Sequence, residues 1–226
     1  MTYGVVAAVA PELRATLRAL HARRRRAGGQ TFHLATPFVF ARGGIGPERA
    51  ARCAARLLEQ FHPKVLVSTG FAGALVRDLE TGTIIVGGVP GLAAAVEALR
   101  EACAADPRAR VGSITTAERV LFLESEKESA FRATGAVGVD MEAAALGRLA
   151  RERGVGFLCV KAVLDTPGAP LAARYESPHR LLREIALRPS VLIGVLGDAR
   201  RARTAGRRLA DFYRALAAVV LGDRSC

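Results

Sequence analysis

The chain alternates short apolar runs with longer segments whose apolar residues recur at helical spacing. Tyr3 to Val9 is an apolar, β-branched run of strand length. Pro11 and Glu12 open a helical stretch in which Leu13, Leu17 and Leu20 share a face, with proline in the first turn where a missing N–H costs nothing. Arg23-Arg24-Arg25-Arg26 and Gly28-Gly29 read as the charged loop that ends it. Residues 31–34 and 37–41 read as the strands of a hairpin. Gly43-Gly44-Ile45-Gly46-Pro47 then breaks the chain before a helix whose apolar face is Ala50, Ala51, Ala54, Leu57, Leu58 and Phe61.

Residues 64–69 form a further apolar strand, which Gly70-Phe71-Ala72-Gly73-Ala74 closes as a turn. Strands follow at 83–86 and 109–114, with a helix over 92–105 between them. Glu142 to Arg153 reads as a helix ended by Gly154, a residue suited to a left-handed C-terminal position. Phe157 to Leu164 shows almost no alternation, as in a strand covered on both faces. From Ser177 the pattern is helical again, in at least two segments that part near Arg188-Pro189. The expectation is an α/β fold: a single-domain, three-layer α/β/α arrangement with a mixed, mostly buried central sheet. One domain would span residues 1–226, with a C-terminal helical region over about 177–222.

Composition narrows the class. Half of the 226 residues are hydrophobic but aromatics are few and tryptophan is absent, so the core rests on Ala, Val, Leu and Ile. No apolar run reaches the roughly 20 residues that cross a bilayer, and no basic segment precedes the first apolar run. Stable membrane insertion and secretion are therefore not expected. Cys53, Cys103, Cys159 and Cys226 are widely spaced and read as free thiols of a cytoplasmic protein. His21, His33, His62 and His179 have no carboxylate or cysteine at metal-ligand spacing, so neither a metal nor a cofactor is expected. The net charge of +12 raises the question of nucleic acid. Its arginines are scattered over amphipathic helices without interleaved aromatics, which favours solvated surface over a nucleic-acid partner.

The candidate chemistry lies at strand ends. Gly43-Gly44-Ile45-Gly46 and Gly70-Phe71-Ala72-Gly73 could let a ligand approach the backbone, but neither matches a dinucleotide or phosphate-loop fingerprint. Asp140 and Glu142 follow the apolar run Ala136-Val137-Gly138-Val139, and Asp165 ends the run that began at Phe157. A carboxylate there loses hydration unless it binds something. Asp140 also suits a helix N-terminus, so a capping role explains it comfortably. Lys161 is a cation inside an apolar strand and needs a partner.

Four collinear segments resemble the 5'-methylthioadenosine/S-adenosylhomocysteine nucleosidase family of the nucleoside phosphorylase superfamily. They are Ala8-Val9-Ala10-Pro11-Glu12, Gly43-Gly44-Ile45-Gly46, the run Val65 to Leu75, and Gly138-Val139-Asp140-Met141-Glu142 continued through Asp165. The resemblance implies a hydrolase that cleaves a 5'-modified adenosine to adenine and a ribose derivative. It implies that Glu12 deprotonates the attacking water, that Asp165 protonates the base at N7, and that Glu142 accepts hydrogen bonds from the ribose hydroxyls while Met141 packs on the sugar. Gly73 and Phe71 would line the substrate, and Val120 would touch the base. Lys161, where the family has arginine, would face the Glu12 side of the pocket. Phe71 and Leu164 stand where the family has serine, and the segment between Val86 and Val111 is shorter than in the family, around the 5'-substituent. As in the related hopanoid-associated nucleosidases, that substituent could be bulkier, and the C-terminal region would be a peripheral amphipathic helix pair. A small-molecule nucleoside and a homodimer are the implied partners. A phosphate-dependent phosphorylase, supported by Arg42 beside the glycines, and a non-catalytic nucleoside binder remain as alternatives.

Overall fold

The computed structural model describes residues 2–89, 91, 93–171 and 189–222. Strand β1 (Tyr3–Ala7) lies in the middle of the sheet because it is apolar on both faces: Tyr3, Val5 and Ala7 join one core cluster and Val6 the other. It runs parallel to β4 (Phe38–Arg42) and to β5 (Val65–Ala74), and β5 runs parallel to β10 (Gly156–Asp165). Beyond β10 come β6 (Ile84–Val89), antiparallel, and β7 (Ala109–Val111). Beyond β4 come β3 (Gln30–Ala35) and β2 (Arg23–Ala27), both antiparallel to their neighbours. The C-terminal end of β5 carries a separate branch, β9 (Gly138–Asp140) paired with β8 (Ile114–Thr116).

Helices cover both faces, as the non-alternating strands require. Helices α1 (Ala10–Ala19), α3 (Ala93–Ala104) and α6 (Pro189–Leu221) pack on the face of Val5, Phe40 and Val160. Helices α2 (Pro47–Phe61) and α5 (Ala143–Glu152) cover the face of Val6, Ala41 and Leu66. The α4 helix (Glu124–Thr134) sits beside β9, where Ala130 packs with Leu75, Ala136 and Val139. The expected three-layer α/β/α arrangement with a mixed sheet is the one formed.

Several local expectations need correction. The arginine run is not a loop but edge strand β2, laddered to β3 with Arg25 opposite Phe32. Its backbone gains hydrogen bonds while the side chains stay in solvent; Arg25 lies 5.4 Å over the Phe61 ring. A charged outer strand also resists further strand addition. The glycine segment at 70–74 does not close β5, which runs on to Ala74. The strand expected over 109–114 divides into β7 and β8 at Gly112-Ser113, where the chain passes from β6 to β9. Helix α4 has charges on most of its surface and was not anticipated.

Of the two C-terminal helical segments, the one ahead of Arg188 lies outside the described residues. The other, α6, is not peripheral: Leu209, Phe212, Tyr213 and Leu216 are buried, and the Tyr213 ring meets Phe38 and Phe40 edge-on at 5.2 and 5.5 Å. Among the described residues no helix is long and apolar enough to cross a membrane. Because Tyr213 is the keystone between α6 and the sheet, Tyr213→Ala is expected to destabilise the fold by about 3–5 kcal/mol. Urea denaturation measures this, and an unchanged midpoint would show that α6 does not belong to the core.

Candidate active site

The β5 strand organises the site through two glycines. At Gly70, with φ of +124°, an added Cβ would overlap Glu12 Oε1. At Gly73 it would lie 3.3 Å from Asp165 Oδ1 and 3.6 Å from Lys127 Nζ. The absent side chains therefore make room for the protein's own carboxylates. The ladder sets Gly70 opposite Lys161 and Gly73 opposite Asp165. Two charged rungs result, three residues or about 10 Å apart along the strand.

On the first rung, Glu12 stands at the third position of α1 and folds back toward the helix start. Its Oε2 accepts from the backbone N–H of Ala8 at 2.8 Å and of Val9 at 2.9 Å, and its Oε1 accepts from Phe71 N–H at 2.9 Å. Burial pushes its carboxyl above the usual range, while Lys161 and the Val9 and Phe71 amides pull the other way. Phe71 reaches the site through its amide; its ring packs on the core cluster. The Lys161 ammonium, 2 % exposed, pairs with Asp140 Oδ2 at 2.8 Å and donates to the Thr69 carbonyl at 3.2 Å. Burial alone would lower its pKa, but Asp140 and Glu12 together hold it above the usual value.

Asp140 joins the two functions weighed for it. Its carboxylate accepts from Ala143 N–H at the start of α5, at 2.9 Å, and from the Thr116 hydroxyl at 2.8 Å, besides pairing with Lys161. Beside it, Glu142 accepts from Gly46 N–H at 2.9 Å. This brings the turn at 43–46 against the start of α5, although 96 residues separate the two in sequence. Glu142 also raises the Glu12 carboxyl through space, so both acids face one region. Met141 and Glu142 are half-buried at its edge.

On the second rung, Asp165 forms a buried ion pair with Lys127 of α4. Burial pushes the Asp165 carboxyl up, and Lys127 and Arg201 partly offset this. Arg201 of α6 also donates to the Ala169 and Pro170 carbonyls, fastening the segment after Asp165 to that helix. Sequence reasoning missed Lys127. It lies among Glu124, Ser125, Glu126, Glu128 and Ser129, where a lysine reads as solvated surface, yet its side chain is fully buried. Val120 stands apart, 37 % exposed in the segment between β8 and α4 and in none of the core clusters.

An α/β sheet with buried acids at the carboxyl ends of its strands, beside half-buried acids and glycine turns, defines a small-molecule site of the kind such sheets build. A family model described as the phosphorylase superfamily matches residues 2–88 and 89–190, and the chain belongs to that superfamily. Among characterised relatives, the 5'-methylthioadenosine/S-adenosylhomocysteine nucleosidase of Treponema pallidum is 29% identical over 222 residues, covering 75% of this chain and 82% of the relative. The fold is shared with the corresponding nucleosidase of S. pneumoniae, solved with a transition-state inhibitor, at a TM-score of 0.73 and 20% identity, over 96% of this chain and 98% of that one. It is also shared with futalosine hydrolase of Helicobacter pylori, at a TM-score of 0.72 and 14% identity, over 96% and 97% of the two chains.

Two variants test the first rung. Lys161→Met leaves Asp140 buried without its cation and is expected to cost about 3–5 kcal/mol of stability. Gly70→Ala combines a left-handed backbone with a clash against Glu12 and is expected to destabilise by more than about 1 kcal/mol. Denaturant titration reads both, and wild-type stability in either would contradict the packing around Glu12.

Proposed function

We propose that this protein is an N-glycosyl hydrolase that cleaves a 5'-modified adenosine into adenine and the ribose derivative. The observation that carries the reading is the pair of charged rungs on β5, with buried Glu12 on one and buried Asp165 on the other. The characterised relatives named as nucleosidases support the same chemistry.

In this mechanism the ribose lies against Glu142 and Met141, and the 2'- and 3'-hydroxyls donate to the Glu142 carboxylate. Glu12 accepts a proton from water as the water oxygen bonds to C1'. The C1'–N9 bond breaks with its electron pair going to the base, and the Lys127–Asp165 pair supplies the proton taken up at N7. Positive charge grows on the sugar, and the neighbouring carboxylates stabilise it. The raised pKa of each carboxyl suits both roles: a base and an acid work best when they titrate near the operating pH. Lys161 acts as a positioning residue, holding Asp140 and attracting Glu12. Gly73 sets the floor under the Asp165 side, Phe71 holds Glu12 through its amide, and Val120 borders the base from the exposed segment that carries it.

We further propose a cytoplasmic homodimer in which residues 1–226 form one domain. Free Cys53, Cys103 and Cys159 support a reducing compartment, and the family resemblance supports the dimer.

The direct test incubates purified protein with methylthioadenosine, S-adenosylhomocysteine, adenosine and inosine, with and without phosphate, and measures free base. Release without phosphate is the expected result; release only with phosphate would make the protein a phosphorylase, and no release would favour a binder. Asp165→Asn is expected to lower kcat by roughly 10²- to 10⁴-fold with substrate still bound. Glu12 must be ionised to take a proton, so kcat/KM should fall as pH drops through its raised pKa. That acid limb is expected above about 4.3, the ordinary glutamate value. A limb at or below that value would remove Glu12 from the role.

A further inference from the structure

A concave site lies away from the charged rungs. It is a cavity of about 690 Å³ between the first turns of α1, the α2 helix and the β2–β3 hairpin. Its size falls within the range of small-molecule sites. Six arginines converge on it: Arg14 from α1, Arg24 from β2, Arg42 from the end of β4, and Arg49, Arg52 and Arg56 from α2.

The charge there is unbalanced. Arg52 reaches the exposed Glu48 at 3.6 Å. The other five arginines make no ion pair with any described residue. Among the described residues no aspartate or glutamate lines the cavity. His33, opposite Arg24 in the β2–β3 ladder, also lines the cavity; burial, and then Arg24 and Arg42, lower its pKa. Glu12, Glu142 and Asp165 are not among the lining residues, so an anion seated here is not placed to attack a sugar at the rungs.

Arg49, Arg52 and Arg56 recur at three- and four-residue spacing and so share one face of α2. Arg42 and Arg24 line the cavity from the sheet, so forked donors from two helices and two strands border it. Guanidinium forks match phosphate oxygens two at a time, and several unpaired cations call for more than one negative charge. Among the described residues the walls hold Leu13 and Leu17 and no Phe, Tyr or Trp, which disfavours stacked single-stranded nucleic acid.

We propose that this cavity is a binding site for a small ligand bearing two or more phosphate groups, separate from the glycosidic-bond site. Arg42 and Arg49 grip the phosphate oxygens, and the remaining arginines supply the field that draws the ligand in.

Isothermal titration of the full chain with inorganic pyrophosphate, in roughly 0.15 M salt to screen diffuse attraction, tests the site. Saturable binding at one site per chain is expected. Arg42→Gln/Arg49→Gln should weaken it by at least about tenfold, the equivalent of one charge-assisted hydrogen bond. Arg132→Gln/Arg203→Gln removes the same charge from exposed positions elsewhere and should leave the affinity within about twofold. Arg14→Gln/Arg56→Gln gives a second cavity variant, with unfolding midpoints confirming that each protein is folded. Absence of saturable binding, or equal weakening by the cavity and control pairs, would overturn the proposal. A further arm sediments the protein with vesicles of phosphatidylglycerol and phosphatidylcholine. Vesicle binding that pyrophosphate does not displace would assign the arginines to a membrane surface and overturn it too. Base release is measured separately, so failure here leaves the hydrolase reading intact, and the reverse also holds.

Discussion

A carboxylate buried within an apolar sheet is tolerated only where main-chain amides or a cation replace its lost water, and this requirement shapes the middle of β5. Glu12 is met by three backbone amides and attracted by Lys161. Asp140 is met by Lys161, Thr116 and the first amide of α5. Asp165 is met by Lys127. The Glu12 and Asp165 arrangements each bring side-chain atoms close to where a Cβ on β5 would stand, at residues 70 and 73, and both of these are glycine. The ladder between β5 and β10 then sets the distance between the two ends of the site.

The two rungs are anchored differently. The first is assembled from β1, α1, β5, β9 and β10, close to the centre of the sheet, and its hydrogen bonds are mostly to main chain. The second depends on α4, which contributes Ala130 to a small cluster on β9, and on the segment that Arg201 fastens to α6. Sparse packing is where local opening is least costly. The Asp165 rung therefore rests on the less firmly held elements, while Glu12 sits in the core. The arginine cavity is lined from the two helices α1 and α2, by Arg14 of α1 and by Arg49, Arg52 and Arg56 of α2.

Much of this was legible in the residues. Apolar runs covered on both faces announced the sheet, and helical periodicity announced α1, α2 and α5. Asp140, Glu142 and Asp165 stood out because acids at the ends of apolar strands need a reason, and Lys161 because a cation inside such a strand needs a partner. Lys127 did not stand out: in a helix with charge on most sides, local pattern gives no sign of which side chain is buried. The arginine run misled for a related reason, since an edge strand takes its hydrogen bonds from a neighbour and can carry any solvated side chain.

The sequence by itself determined the layer architecture, the superfamily and which charges stand at or inside apolar strands, because burial periodicity and isolated charges are written locally along the chain. Only the tertiary structure decided who partners whom. Lys161 went to Asp140 with Glu12 nearby, Asp165 went to a lysine 38 residues earlier, and Gly46 went to Glu142 across 96 residues. Such pairings follow from strand register and helix placement, which set distances through space that no spacing along the chain records.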